Sequence, residues 1–196
     1  MIAKRKGVTV RWGPKEACSK DASRCTKTGS EAYGVFSVSD SRGNAYKQAI
    51  QFNMTVDAET LGIFYAENIA GGANTITVSD TILGTMRFAI LEYSGVATSN
   101  SLDVSVATRR KQLFTCYQYC HYKFQRGFAV RRNRDSQSGQ FNAGNGYTVE
   151  ERVPAEPNTK LIVEDQRQSI AGAASAGASL GASDGWGAVL VAFRHP

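Results

Sequence analysis

From Val35 onward, apolar and polar residues alternate with a period of two in short runs, broken roughly every 8 to 12 residues by Gly, Asn, Asp and Ser. That period belongs to the β-strand, whose successive side chains point to opposite faces, whereas a helix repeats its apolar residues every three or four positions. Thr75-Ile76-Thr77-Val78-Ser79 alternates strictly, and Tyr147 to Val153 reads as a further alternating run. Met86 to Tyr93 puts Met86, Phe88, Ile90 and Glu92 on one face and Arg87, Ala89, Leu91 and Tyr93 on the other, which predicts a strand near the middle of a sheet. Leu61 to Ala66 and Leu161-Ile162-Val163 are short apolar runs, and Trp186 to Phe193 is apolar on both faces, which predicts a central strand.

The punctuation is equally β-like. Val35 to Ser39 leads into Asp40-Ser41-Arg42-Gly43-Asn44, where Gly and Asn supply the positive φ of a tight turn, so a hairpin is expected. Ala171 to Ala182 is Ala, Ser and Gly with one Leu, and strands on both sides favour a small-residue strand and loop there. Helical signals are weak, and strands without interleaved helices predict an all-β antiparallel β-sandwich, jelly-roll-like, rather than a βαβ fold. At 196 residues, one domain over 1–196 with a single sizeable core is expected. No apolar stretch approaches the roughly 18 to 20 residues of a membrane span, so no transmembrane segment is expected. Met1-Ile2-Ala3-Lys4-Arg5-Lys6 is not followed by a signal-peptide apolar region, so the sequence as it stands is expected to carry no export signal.

Net charge is +6, which ordinarily points to an anionic partner. Its distribution argues against that. Residues 1–30 carry 8 basic and 2 acidic residues, residues 108–140 carry 8 and 1, and the remainder sums to −7. The four cysteines divide the same way, Cys18 and Cys25 in the first basic segment, Cys116 and Cys120 in the second. Spacing selects none of the three disulfide connectivities.

Several stretches, in order, carry a resemblance: Val38-Ser39-Asp40-Ser41-Arg42-Gly43-Asn44-Ala45-Tyr46, the run Ile63 to Val78, Ala89 to Val96, Ser101-Leu102-Asp103-Val104, Ala143 to Thr148, Glu164-Asp165-Gln166, and Asp184-Gly185-Trp186 through Arg194. Together they resemble β-sandwich modules of large secreted and cell-surface bacterial proteins, common in soil acidobacteria. The resemblance spans about two thirds of the chain. It implies an extracellular or cell-surface adhesive module of poorly defined function, without catalytic residues to carry over.

The two basic, cysteine-bearing segments depart from that pattern. Where the family shows a polar run and then a strand like Ala-Asp-Leu-Leu-Phe-Gly, this chain has Arg109 to Arg132. Moving possible codons forward by one nucleotide permits Ala, Asp, Leu, Leu, Phe and Gly in sequence from Arg126. The expectation is that residues 108–140 are frameshifted relative to the family, with the frame restored before Asn142. In the first segment, Val8-Thr9-Val10-Arg11-Trp12 reads as a genuine in-frame strand.

Candidate sites follow from residue chemistry. Cys116, Cys120 and His121, with Cys18, Cys25 or His195, have zinc-ligand chemistry, but Cys-x₃-Cys-His lacks a second paired motif, and no metal site is assigned. Arg109-Arg110-Lys111, Arg126 and Arg131-Arg132-Asn133-Arg134, interleaved with aromatic residues, have only the composition of a nucleic-acid surface, so no specific nucleic-acid partner is expected. A hydrolase acting on glycans needs two carboxyl groups at a set separation, for which Glu92, Asp103, Glu164 and Asp165 are the candidates. His121 and His195 sit in no recognisable triad setting. Tyr65, Tyr93, Tyr147 and Trp186 are the rings available to stack on a sugar, although Trp186 at the start of an apolar strand also reads as core. Calcium at Asp40, Asp80 or Asp184 is conceivable from oxygen chemistry alone, without a complete loop motif. The favoured reading is a non-enzymatic extracellular-type binding or adhesion module for a carbohydrate or a neighbouring surface protein, with the small glycan hydrolase as the alternative.

Overall fold

The computed structural model describes residues 8–11, 33–54, 59–82, 85–120, 126–132, 141–169 and 174–196, with backbone alone along 8–11, 110–120, 126–132, 174–175 and 180–185. The described residues contain no helix, and every strand pairing among them is antiparallel. The strands are β1 (Val8–Arg11), β2 (Phe36–Asp40), β3 (Tyr46–Met54), β4 (Glu59–Ala66), β5 (Ile76–Asp80), β6 (Leu102–Cys120), β7 (Arg126–Arg132), β8 (Phe141–Asn142), β9 (Thr148–Val153), β10 (Leu161–Gln166) and β11 (Ala174–Phe193). They form three sheets: β1-β4-β3, the ribbon β2-β5, and β6-β11-β7-β10-β9 with β8 also on β11. Both basic segments contribute strands to these sheets.

The two larger sheets share a core. Leu61, Ile63 and Tyr65 of β4 pack with Leu161 and Val163 of β10 and with Val189, Val191 and Phe193 of β11. Each such side chain stabilises the fold by roughly 1.5–3 kcal/mol through loss of apolar surface to water. β10 and the second half of β11 are apolar on both faces because each has a second cluster behind it: Ile162, Ala188 and Leu190 pack with Phe141, Tyr147 and Trp186. Ala176 and Ala178, from the first half of β11, close the same cluster. The Trp186 to Phe193 stretch lies between β6 and β7, in the interior of the six-stranded sheet.

Three local expectations are corrected. Asp40 to Asn44 does not close a hairpin, because β2 pairs with β5 while β3 pairs with β4. The turn passes the chain from one sheet to the other. Its shape comes from Asp40, whose Oδ1 accepts the backbone N–H groups of Arg42 and Asn44, both at 3.0 Å, while Gly43 takes φ +71°. Met86 to Tyr93 is not a regular strand and makes only isolated bridges at Arg87 and Ile90. Ala89 and Leu91 are nevertheless buried in the shared core. Alternation dictates which side chains turn inward; it does not supply a partner edge for the backbone.

Finally, the small-residue strand and loop expected across Ala171 to Ala182 is, from Ala174 on, part of one continuous 20-residue strand, with 171–173 outside the described residues. That strand absorbs its bend through register shifts between Ser179, Asp184 and Trp186. Small residues permit this, since a bulge needs little room and packs closely. Its partner β6 runs for 19 residues through Cys116 and Cys120, which lie four positions apart on one extended strand. Their backbones are therefore about 13 Å apart, beyond the reach of a disulfide between them.

Candidate functional site

A cleft of about 260 Å³ opens at the C-terminal ends of β4 and β11. Its floor is apolar, formed by Tyr65, Leu91 and Phe193, with the Tyr65 and Phe193 rings 5.4 Å apart and tilted by 59°. Edge-tilted rings at that spacing hold each other in place. One wall is Glu67-Asn68-Ile69, the other Tyr93 to Thr98, and Ser101 lies between them. Asn68 at φ 48° and Gly95 at φ 76° take left-handed conformations, which let each wall turn sharply away from its strand.

Hydrogen bonds fix the walls. Glu67 Oε1 accepts from the backbone N–H of Ser101 at 2.6 Å and from its hydroxyl at 2.8 Å, and Glu67 Oε2 accepts from Lys47 Nζ at 2.6 Å. The Ala97 N–H donates to the Arg194 carbonyl at 2.9 Å, and the Arg194 N–H to the Ser101 carbonyl at 2.7 Å. Burial pushes the Glu67 carboxyl up, but the donors on Lys47 and Ser101 outweigh it and hold the group below the usual carboxylate range. The Lys47 ammonium also sits 5.8 Å above the Tyr65 ring. Burial, and then the Glu67 charge, raise the Tyr65 hydroxyl above its ordinary value.

The cleft brings together three of the residues singled out in the sequence, Tyr65, Glu92 and Tyr93. Tyr93 turns its buried hydroxyl toward Asp165, and burial followed by that carboxylate pushes it far above the usual tyrosine range. The remaining candidates lie elsewhere. Asp103 is tied to Arg194, whose Nε and Nη2 donate to Asp103 Oδ1 at 3.0 and 2.8 Å. Glu164 follows the other face of β10 and is wholly buried in the second cluster. Tyr147 and Trp186 lie in that cluster too and do not line the cleft.

Asp40 offers a cation little. Besides the two turn N–H groups on Oδ1, its Oδ2 accepts from Asn44 Nδ2 at 2.6 Å, Asn74 Nδ2 at 2.7 Å and the Tyr46 hydroxyl at 3.1 Å. Burial opposes the charge, yet these donors together hold the carboxyl well below its usual range. Asp80 Oδ1 accepts from the Ile82 N–H at 3.2 Å. The Asp184 side chain lies outside the described residues, as do Cys18, Cys25, His121 and the side chains of Cys116 and Cys120. Among the described residues, no group of three or more His, Cys, Asp or Glu could hold a metal ion, and no helix is long and apolar enough to cross a membrane.

Sequence reasoning missed Glu67, Ser101 and Phe193. Glu67 had a signal: it is the first charged residue after the apolar run Leu61 to Ala66 and stands directly before the turn-rich Asn68 to Gly72. A carboxylate at that junction is placed to bind the donors of a neighbouring loop. No family model, no curated protein and no solved structure matches this chain.

Proposed function

We propose that this chain is a non-enzymatic, extracellular-type β-sandwich module, jelly-roll-like in arrangement, that binds a carbohydrate in the cleft between Glu67 and Thr98. The observation that carries the reading is the pairing of an apolar floor, Tyr65, Leu91 and Phe193, with the Glu92 carboxyl and the Thr98 hydroxyl in the same lining. A sugar has the same two-sided chemistry: a C–H face that packs on apolar and aromatic carbon, and hydroxyls that need acceptors and donors. The cleft volume suits a single ring or chain end. The resemblance to secreted bacterial surface modules supports the same assignment and an extracellular setting.

A hydrolase would need one carboxyl kept protonated beside a second that is ionised. Glu67 and Glu92 both line the cleft, but Glu67 is held ionised by Lys47 and Ser101. Glu164, a carboxyl that burial raises, does not line the cleft.

The test is a panel of immobilised neutral oligosaccharides probed with the full chain, followed by calorimetry on any hit. Thr98 is exposed at the mouth, so Thr98→Trp fills the cleft without entering the core. Binding that disappears in Thr98→Trp at an unchanged denaturation midpoint is the expected result. Binding unaffected by Thr98→Trp, binding only to a protein partner, or release of new reducing ends would each overturn the proposal.

A further inference from the structure

Glu164 stands on β10 in register with Val149 of β9 and Phe128 of β7, on the face that carries Ile162 and Leu190. It is 0% exposed. Its Oε2 accepts the Gly144 N–H at 3.0 Å, while its Oε1 meets no donor among the described residues. The turn it holds is tightly seated. A Cβ on Gly144 would strike the Gly177 carbonyl oxygen of β11, and the Tyr147 N–H donates back to the Gly144 carbonyl at 3.0 Å. Phe141 and Tyr147, at the two ends of this turn, close the second cluster over Ile162 and Trp186.

We propose that the Glu164 carboxyl is a proton-operated latch: protonated, it holds the turn from Phe141 to Tyr147 against the six-stranded sheet, and deprotonated, it lets that turn open. A neutral carboxyl is the less costly state there, because one oxygen still accepts from Gly144 and protonation removes the charge from a wholly buried position. Among the described residues a carboxylate there has one backbone donor, the Gly144 N–H, against the cost of desolvation.

Charged groups approach from three sides. On β9, Arg152 shares the face, in register with Ile162, and donates to the Phe141 carbonyl at 3.2 Å and to Glu156 at 3.0 Å. On β7, Arg126 and Arg132 occupy positions on the same face, in register with Gln166 and with Trp186. Asp165 follows the opposite face, and Glu150 acts with it on Tyr93. In the turn itself, Tyr147 is the titratable neighbour.

Burial raises the Glu164 carboxyl to about 7, with the Gly144 bond opposing, against an ordinary value of 4.5. A folded-state value above the open-state value favours the closed turn at low pH. The opening equilibrium then rises about tenfold per pH unit between those two values and levels off above the upper one.

Hydrogen exchange on the full chain tests this at the Gly144 and Tyr147 amides, after correction for intrinsic rates. Their protection is expected to fall by at least about tenfold from pH 5 to pH 8 in the wild type, and to stay flat in Glu164→Gln. Protection that falls equally in both proteins, or in neither, overturns the latch. Should Glu164→Gln fail to fold, the infrared band of a protonated carboxyl decides on the wild type alone. The band must persist near pH 6 and vanish by about pH 8, and its absence near pH 6 refutes the proposal.

Discussion

Lys47 and Ser101, from separate parts of the chain, meet on one side chain: Glu67 takes the Lys47 ammonium on Oε2 at 2.6 Å and both Ser101 donors on Oε1. The two halves of this bridge differ in weight. Lys47 is half exposed, and an ion pair open to water contributes little. Ser101 is buried, and both its N–H and its hydroxyl donate to the Glu67 carboxylate. Glu67→Ala should therefore cost about 1–3 kcal/mol in chemical denaturation, most of it from the lost Ser101 bonds. Lys47→Ala should cost much less. Because the folded Glu67 carboxyl lies below its ordinary 4.5, its contribution is present above that value and lost as pH falls through the lowered one. The midpoint of the wild type should drop on acidification, and that of Glu67→Gln should drop less. Equal losses in Lys47→Ala and Glu67→Ala would refute the unequal weighting.

Gly144 and Gly43 separate two reasons for using glycine. Gly43 takes φ +71° in open space, so Gly43→Ala meets only backbone strain, about 1 kcal/mol. Gly144 has no positive φ requirement; its constraint is the Gly177 carbonyl oxygen, a backbone atom that cannot rotate away. Gly144→Ala must move the turn off β11 and disturb Phe141 and Tyr147, at an expected 1–3 kcal/mol or more. The comparison is made by urea denaturation. If Gly43→Ala proves the costlier substitution, the close approach of the turn to β11 is not what demands glycine there.

Sequence reading reached the strands whose side chains carry a pattern. Ile76 to Asp80 alternates because one face of its ribbon is wet, and Leu161 to Val163 is uniformly apolar because both faces of β10 are covered. It did not reach pairing. Asp40 to Asn44 has hairpin residues, but the identical chemistry of an Asp accepting two N–H groups also serves a chain that crosses between sheets. For the cleft, Tyr65 and Tyr93 were visible as aromatic residues on strand-like runs. Glu67 and Ser101 were not, because the bond between them joins residues 34 positions apart and no local period encodes it. Trp186 and Tyr147 show the converse: rings that suit a ligand equally suit a core, and which of them line the cleft is decided by strand packing that no local pattern encodes.

The six residues from Arg126 to Arg131 bear on how this chain came by its basic second segment. They begin β7, which lies between β10 and β11 in the interior of the six-stranded sheet. Register places Phe128 beside Glu164 and Leu190, Ala129 beside Val163 and Val189, and Val130 beside Ile162 and Ala188. A strand covered on both faces needs apolar residues at those three positions. The codon-shifted reading supplies Leu, Leu and Phe at the same three, so either reading satisfies the sheet there. The readings part at the ends, where position 131 falls between Leu161 and Gly187, both buried, and the shifted reading has Gly in place of Arg131. A glycine suits that row, since Gly187 itself leaves no space for a Cβ against Met54 Sδ. Sequencing the coding DNA is therefore expected to show codons that, moved forward by one nucleotide, spell Ala-Asp-Leu-Leu-Phe-Gly from Arg126. Codons that spell anything else there would overturn the frameshift reading of this strand.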